Sequence, residues 1–138
     1  MIGLRSYIHP QATMLTAAVL AVFYALLSLQ VVRLRWRERV GLGLPTNPTS
    51  PLFRMARVHA NFAEYIPLLL LMMFFLESTG ANPTAVRLCG GLMIVGRVAH
   101  ARGLITVRTP NPWRVVGTAM TFGLLFTFAG WIFLRELM

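Results

Sequence analysis

Arg57, Asn61 and Glu64 stand four and then three residues apart in the segment Arg-Val-His-Ala-Asn-Phe-Ala-Glu-Tyr-Ile-Pro, residues 57–67. On a helix this spacing sets all three on one face. The apolar run from Leu68 to Leu76 follows directly, so the Glu64 carboxylate is expected inside a membrane span. An ionised carboxylate at the centre of a bilayer costs about 2.5–3.5 kcal/mol or more, and such a residue faces protein, has a partner and marks a functional site. A second cluster, Gly96-Arg97-Val98-Ala99-His100-Ala101-Arg102-Gly103, sets Arg97 and His100 on neighbouring positions of another helix. Counting inward from the helix ends puts Glu64 and Arg97 both on the order of 10–15 Å deep, which predicts that they pair. Pairing alone would only hold two helices in register. Arg57, His59, Asn61 and His100 remain as surplus polar groups at the same end, and a small polyanionic ligand would use them.

The elements that must carry these residues are membrane helices. Of 138 residues, 57% are hydrophobic and 12% charged. The apolar residues fall into four blocks, near residues 12–34, 55–77, 84–104 and 114–135. Each is close to the roughly 20 residues that cross about 30 Å of hydrocarbon. The expected fold is all-α: a polytopic membrane protein whose single domain, residues 1–138, is a four-helix bundle. The first block is longer than a signal-peptide core and lacks a convincing cleavage site, so it is read as a retained span. Gly and Pro break the chain at 41–51, around Ser78 to Pro83, where Gly80 and an Asn-Pro step fall, and at Pro110 and Pro112. Small residues at Gly117, Thr121 and Gly123 predict close packing of the fourth helix.

The net charge of +9 comes from thirteen arginines against four glutamates, with neither lysine nor aspartate. Arg33, Arg35, Arg37, Arg39, Arg54 and Arg57 flank the first loop, and Arg102, Arg108 and Arg114 the third. By the positive-inside rule both loops are cytoplasmic and both termini lie on the opposite face, with Arg5 and Arg135 as a weak counter-signal. Arginines clustered at helix ends match anionic headgroups rather than nucleic acid. Trp36, Trp113 and Trp131 fall near span ends, as an interfacial belt requires. The lone Cys89 excludes an intrachain disulfide and reads as a packing residue, and no cluster has metal-binding spacing.

The segment from Arg57 to Leu68 resembles the second-helix signature of the MAPEG family, the membrane-associated proteins in eicosanoid and glutathione metabolism. Arg57, Asn61, Glu64 and Pro67 fall at the family spacing, and Tyr65 beside the glutamate matches its leukotriene-synthase branch. Gly96-Arg97-Val98-Ala99-His100 is similar to the third helix of the prostaglandin-synthase branch. Ser28-Leu29-Gln30-Val31, ahead of an arginine cluster, resembles the end of helix one in the leukotriene branch. What the resemblance implies is a homotrimer in a bacterial inner membrane that binds glutathione as co-substrate between subunits near the cytoplasmic face. Carried over by position, Arg57, Asn61, Glu64 and Tyr65 hold glutathione, Arg35 approaches from helix one, and His59, Arg97 and His100 make polar contacts. Arg114, with Arg108 as the alternative, takes the place of the thiolate-stabilising arginine. The implied activity is that of a glutathione transferase or peroxidase acting on a hydrophobic electrophile or lipid peroxide, without a metal. One departure stands out: Leu104 occupies the position of a family tyrosine one turn after His100.

Three other classes compete. A non-catalytic binding or scaffold protein of the same fold is favoured by Leu104, since fold does not guarantee activity. A small multidrug-type exporter also carries an intramembrane glutamate in four short helices, but the arginines around Glu64 would repel cationic cargo. A b-type cytochrome would need His59 and His100 as axial ligands on facing helices.

Overall fold

The computed structural model describes residues 9–106 and 111–137, and its four helices are α1 (Gln11–Glu38), α2 (Pro51–Ser78), α3 (Pro83–Ile105) and α4 (Pro112–Leu137). Arg5, Arg108 and Pro110 lie outside the described residues. All four helices are long and apolar enough to cross a membrane, and the protein is an all-α membrane bundle.

Local chemistry sets where the helices begin. Ser-Pro opens α2, and Asn-Pro opens both α3 and α4; proline at the first helical position gives up only an N–H that has no helical partner. Ser50 Oγ accepts from Phe53 N at 3.3 Å, Asn82 Oδ1 from Thr84 N and Ala85 N at 3.0 and 3.1 Å, and Asn111 Oδ1 from Trp113 N at 3.0 Å. These caps lie outside the apolar blocks, which is why α2 starts at Pro51 and carries Arg54 on its first turn. At the other end α1 runs on past Arg33, Arg35 and Arg37 and stops where Arg39 turns left-handed at φ 54°.

Helix α1 has no cap of its own. Its first turn is covered from α2 instead: the Glu77 carboxylate accepts from Ala12 N and Thr13 N, both at 2.8 Å. The reciprocal contact sits at the opposite end, where Glu38, the last residue of α1, accepts from Leu52 N at 3.0 Å and Ser50 Oγ at 2.7 Å. Each helix thus lends the other a carboxylate at its positive end. Two of the four glutamates are used in this way.

In cross-section the bundle is a diamond. Helices α2 and α3 form the short diagonal, α1 packs on both from one side, and α4 packs on both from the other; α1 and α4 do not meet among the described residues. Helix α3 is the most buried and the least apolar of the four. One core holds them together, with Leu20 from α1, Leu69, Met73 and Leu76 from α2, Val86 and Met93 from α3, and Phe128 from α4. Three α3 glycines let neighbours approach: Gly90 sits against Thr16 and Met73, Gly96 against Met120, and Gly103 against the backbone of Arg114. On α4, Gly117 and Thr121 pack inward, but Gly123 has open space beyond it, so the expected small-residue contact divides between two faces.

Replacing Glu77 with alanine removes both caps from α1 and is expected to destabilise the protein by about 1–2 kcal/mol. Glu136→Ala, at an exposed site, should stay within roughly 0.5 kcal/mol. Reversible unfolding in mixed micelles would measure both, and equal midpoints would refute the cap.

Candidate ligand site

Three helical stripes converge on a cavity of about 1020 Å³ at the arginine-rich end of the bundle. From α2 come Phe53, Arg54, Arg57 and Asn61, from α3 His100, Gly103 and Leu104, and from α4 Arg114, Val115, Thr118 and Ala119. Each set recurs at three- or four-residue intervals, so one face of each helix lines the space. Pro48, Thr49, Thr106 and Asn111 complete the rim. Among the described residues, three guanidinium groups line this cavity and no carboxylate does.

Close helix contact positions the α3–α4 wall. A side chain at Gly103 would collide with the backbone of Arg114, and one at Gly117 with the backbone of His100. The first turn of α4 therefore rests directly on α3, with Arg114 and His100 on the same wall. His100 is 7% exposed; its Nδ1 lies 3.2 Å from Thr118 Oγ1, and its Nε2 has no partner among the described residues. Arg54 bridges α3 and the first loop, donating from Nη1 to Ile105 O at 2.9 Å and from Nη2 to Thr49 O at 2.6 Å. Just outside, Arg102 lies over the Trp113 ring at 5.4 Å, a cation–π contact on the exposed rim.

Of the residues singled out by sequence, Arg57, Asn61, His100 and Arg114 meet in the cavity. Arg97 lies behind its wall, 4% exposed, with Nη1 donating to Asn61 Oδ1 at 2.9 Å and Nη2 to Thr121 Oγ1. The predicted Glu64–Arg97 pair does not form. Direction around the helix decides this: Glu64 is turned about 60° from Asn61 around α2 and is exposed on the outside of the bundle. His59 is two residues from Asn61 and so points to the far side of α2, where it stacks on Tyr24 at 4.6 Å and lies 3.1 Å from Ser28 Oγ. His59 packs on α1 and His100 on α4, so they do not face each other as axial ligands would. Tyr65 makes an edge contact with Phe122 at 5.7 Å. Arg35 donates to Gly43 O at 3.1 Å and to Gly41 O at 3.4 Å, pinning the first loop. Sequence reasoning missed Arg54, although it precedes Arg57 by three residues on the same stripe, and Thr118, which nothing in its surroundings marks.

The family model for the MAPEG family matches residues 13–134. The chain belongs to the MAPEG family. It is similar to inner membrane protein YecN of Escherichia coli strain K12, with 39% identity over 93 residues, 64% of this chain and 70% of that protein. The same figures hold for YecN of Escherichia coli O6:H1. No solved structure matches. Within this MAPEG subunit, Leu104 lines the cavity at the position where the resemblance led one to expect a tyrosine.

Gly103→Ala is expected to push α4 from α3 and to cost about 1–3 kcal/mol. Gly91→Ala, where the added methyl meets nothing, should be neutral or stabilise by up to about 1 kcal/mol. Unfolding midpoints in the same micelles would test the contrast.

Proposed function

We propose that this MAPEG protein binds glutathione in the arginine-lined cavity and activates its thiol for transfer to hydrophobic electrophiles or for reduction of lipid peroxides. The observation that carries the reading is the lining itself: Arg54, Arg57 and Arg114 with no acid among them, in a space comparable to the roughly 300–1,000 Å³ of small-molecule sites. Planar guanidinium forks suit the two carboxylates of glutathione. A guanidinium close to the sulfur favours the thiolate over the thiol, and each unit of lowered pKa corresponds to about 1.4 kcal/mol of preference for the anion. Arg114, carried to the cavity on the first turn of α4, takes this role. In conjugation the thiolate forms a carbon–sulfur bond and the electrophile loses its leaving group; in peroxide reduction two thiols yield a disulfide, an alcohol and water.

Among the described residues the cavity supplies no anion for the ammonium of glutathione. Glu64 is one turn deeper on α2 and exposed on the subunit surface, a placement that is costly against lipid and favourable against a second copy of the chain. A homotrimer with sites between subunits accommodates it, bringing Glu64, Tyr65 and Arg35 to the ligand from the outward faces. The YecN relatives support placement in a bacterial inner membrane; the positive-inside rule orients the arginine-rich loops toward the cytoplasm.

Leu104 favours a second reading, a binding protein of the same fold without turnover, because an apolar side chain stands where a hydroxyl is expected. Purified protein assayed with an aryl halide and with a lipid hydroperoxide separates the two; binding of glutathione without any conversion supports the second. Arg114→Ala is expected to lower the ultraviolet thiolate absorbance and turnover by roughly tenfold or more while reducing affinity less. Glu64→Gln should weaken glutathione binding measured by calorimetry. Unchanged affinity in the intact oligomer removes Glu64 from the site.

A further inference from the structure

We propose that Arg97 is a positioning residue whose task is to hold the side-chain amide of Asn61 with its N–H groups turned into the cavity, making the deep end of the site a hydrogen-bond donor to an anionic ligand. That the anion belongs to glutathione rests on the function proposed above; the orientation itself does not.

The direction of the hydrogen bonds follows from chemistry. Arginine carries only donors, so the Asn61 atom that faces Arg97 Nη1 at 2.9 Å must be the amide oxygen. On the other side Arg97 donates to Thr121 Oγ1, and that hydroxyl passes its own hydrogen to Gly117 O at 2.7 Å. The chain runs one way, from α3 outward to α4 and to α2, and leaves no second arrangement in which the Asn61 oxygen is free. With its oxygen held, the Asn61 –NH₂ group is left to the cavity that Asn61 lines. No carboxylate partners the buried Arg97 guanidinium among the described residues. Its charge is therefore offset only by neutral dipoles, and it polarises the amide in the sense that strengthens donation. An asparagine free to rotate would offer oxygen or nitrogen alike; one held by Arg97 offers nitrogen and rejects a cation at that point.

The test uses the full-length protein in detergent with isotope-labelled asparagine. The chain has four asparagines, and Asn61→Ala identifies the Asn61 side-chain amide resonance. In the parent protein that resonance is expected to be slow to exchange and to shift when glutathione is added. Arg97→Met should broaden or shift it before any ligand is present and should raise the KM for glutathione about tenfold, the scale of one hydrogen bond to a charged group, with kcat falling less. Arg97→Gln, which can still donate to the Asn61 oxygen, should recover most of both effects. In the Arg97→Met background, Asn61→Ala should cost little more, because the amide has already lost its orientation. An Asn61 resonance indifferent to Arg97→Met in folded protein, or fully additive losses in the double variant, would overturn the proposal. Failure of glutathione to affect the parent protein would refute the glutathione reading alone, and the ligand-free resonance would then decide whether Arg97 orients Asn61.

Discussion

Inside hydrocarbon every polar group must find its partner within the protein, and the Arg97 guanidinium at the middle of the bundle imposes that demand most severely. It is met without a carboxylate. Asn61 from α2 and Thr121 from α4 converge on it from either side, so one α3 residue ties together the three helices that enclose the cavity. The remainder of the site is arranged around this tie: Asn61 at the deep end, His100 one turn along α3, and Arg57 and Arg54 following on α2 toward the mouth. Helix α3 can carry such residues because it is shielded by its three neighbours, and its lower apolarity is the counterpart of its burial.

The ends of the helices obey the same constraint. Glu77 and Glu38 cap the first turns of the neighbouring helix, Arg54 covers the α3 carbonyl of Ile105, and Arg135 donates to the Thr79 carbonyl at the end of α2. Carboxylates therefore stand at positive helix ends and guanidinium groups at negative ones, as the macrodipole favours. With Glu38 and Glu77 committed to α1 and α2, Glu64 is the one glutamate left within the central stretch of a span, and it looks outward. Glu64 thus faces outward while Arg54, Arg57 and Arg114 face the cavity.

Close approach of α3 and α4 gives the cavity its second wall. Gly103 and Gly117 remove the side chains that would separate the helices, and the resulting contact brings Arg114 to the same surface as His100. Arg54, by contrast, serves two purposes at once, lining the cavity while fastening the first loop to the end of α3. Its loss would disturb the cavity lining and the loop together.

Four helices, the Gly- and Pro-marked breaks between them, the basic end, and the stripe of Arg57 and Asn61 were legible in sequence, because span length, breaker residues and helical periodicity act over a few residues. The start of α2 was not, since the Ser50 cap carries the helix four residues ahead of its apolar block. Family membership was legible too, from the spacing around Glu64. Rotation about each helix axis was not. Whether Arg97 meets Glu64 or Asn61, and whether His59 turns toward the cavity or toward Tyr24, depends on how α1 and α4 seat against the α2–α3 diagonal. Side chains far apart in the chain, Thr16 against Gly90 and Arg114 against Gly103, decide that seating. The sequence by itself determined which residues share a level along each helix; only the tertiary structure decided which way they point, because level follows from rise along one helix while direction is settled by packing among several.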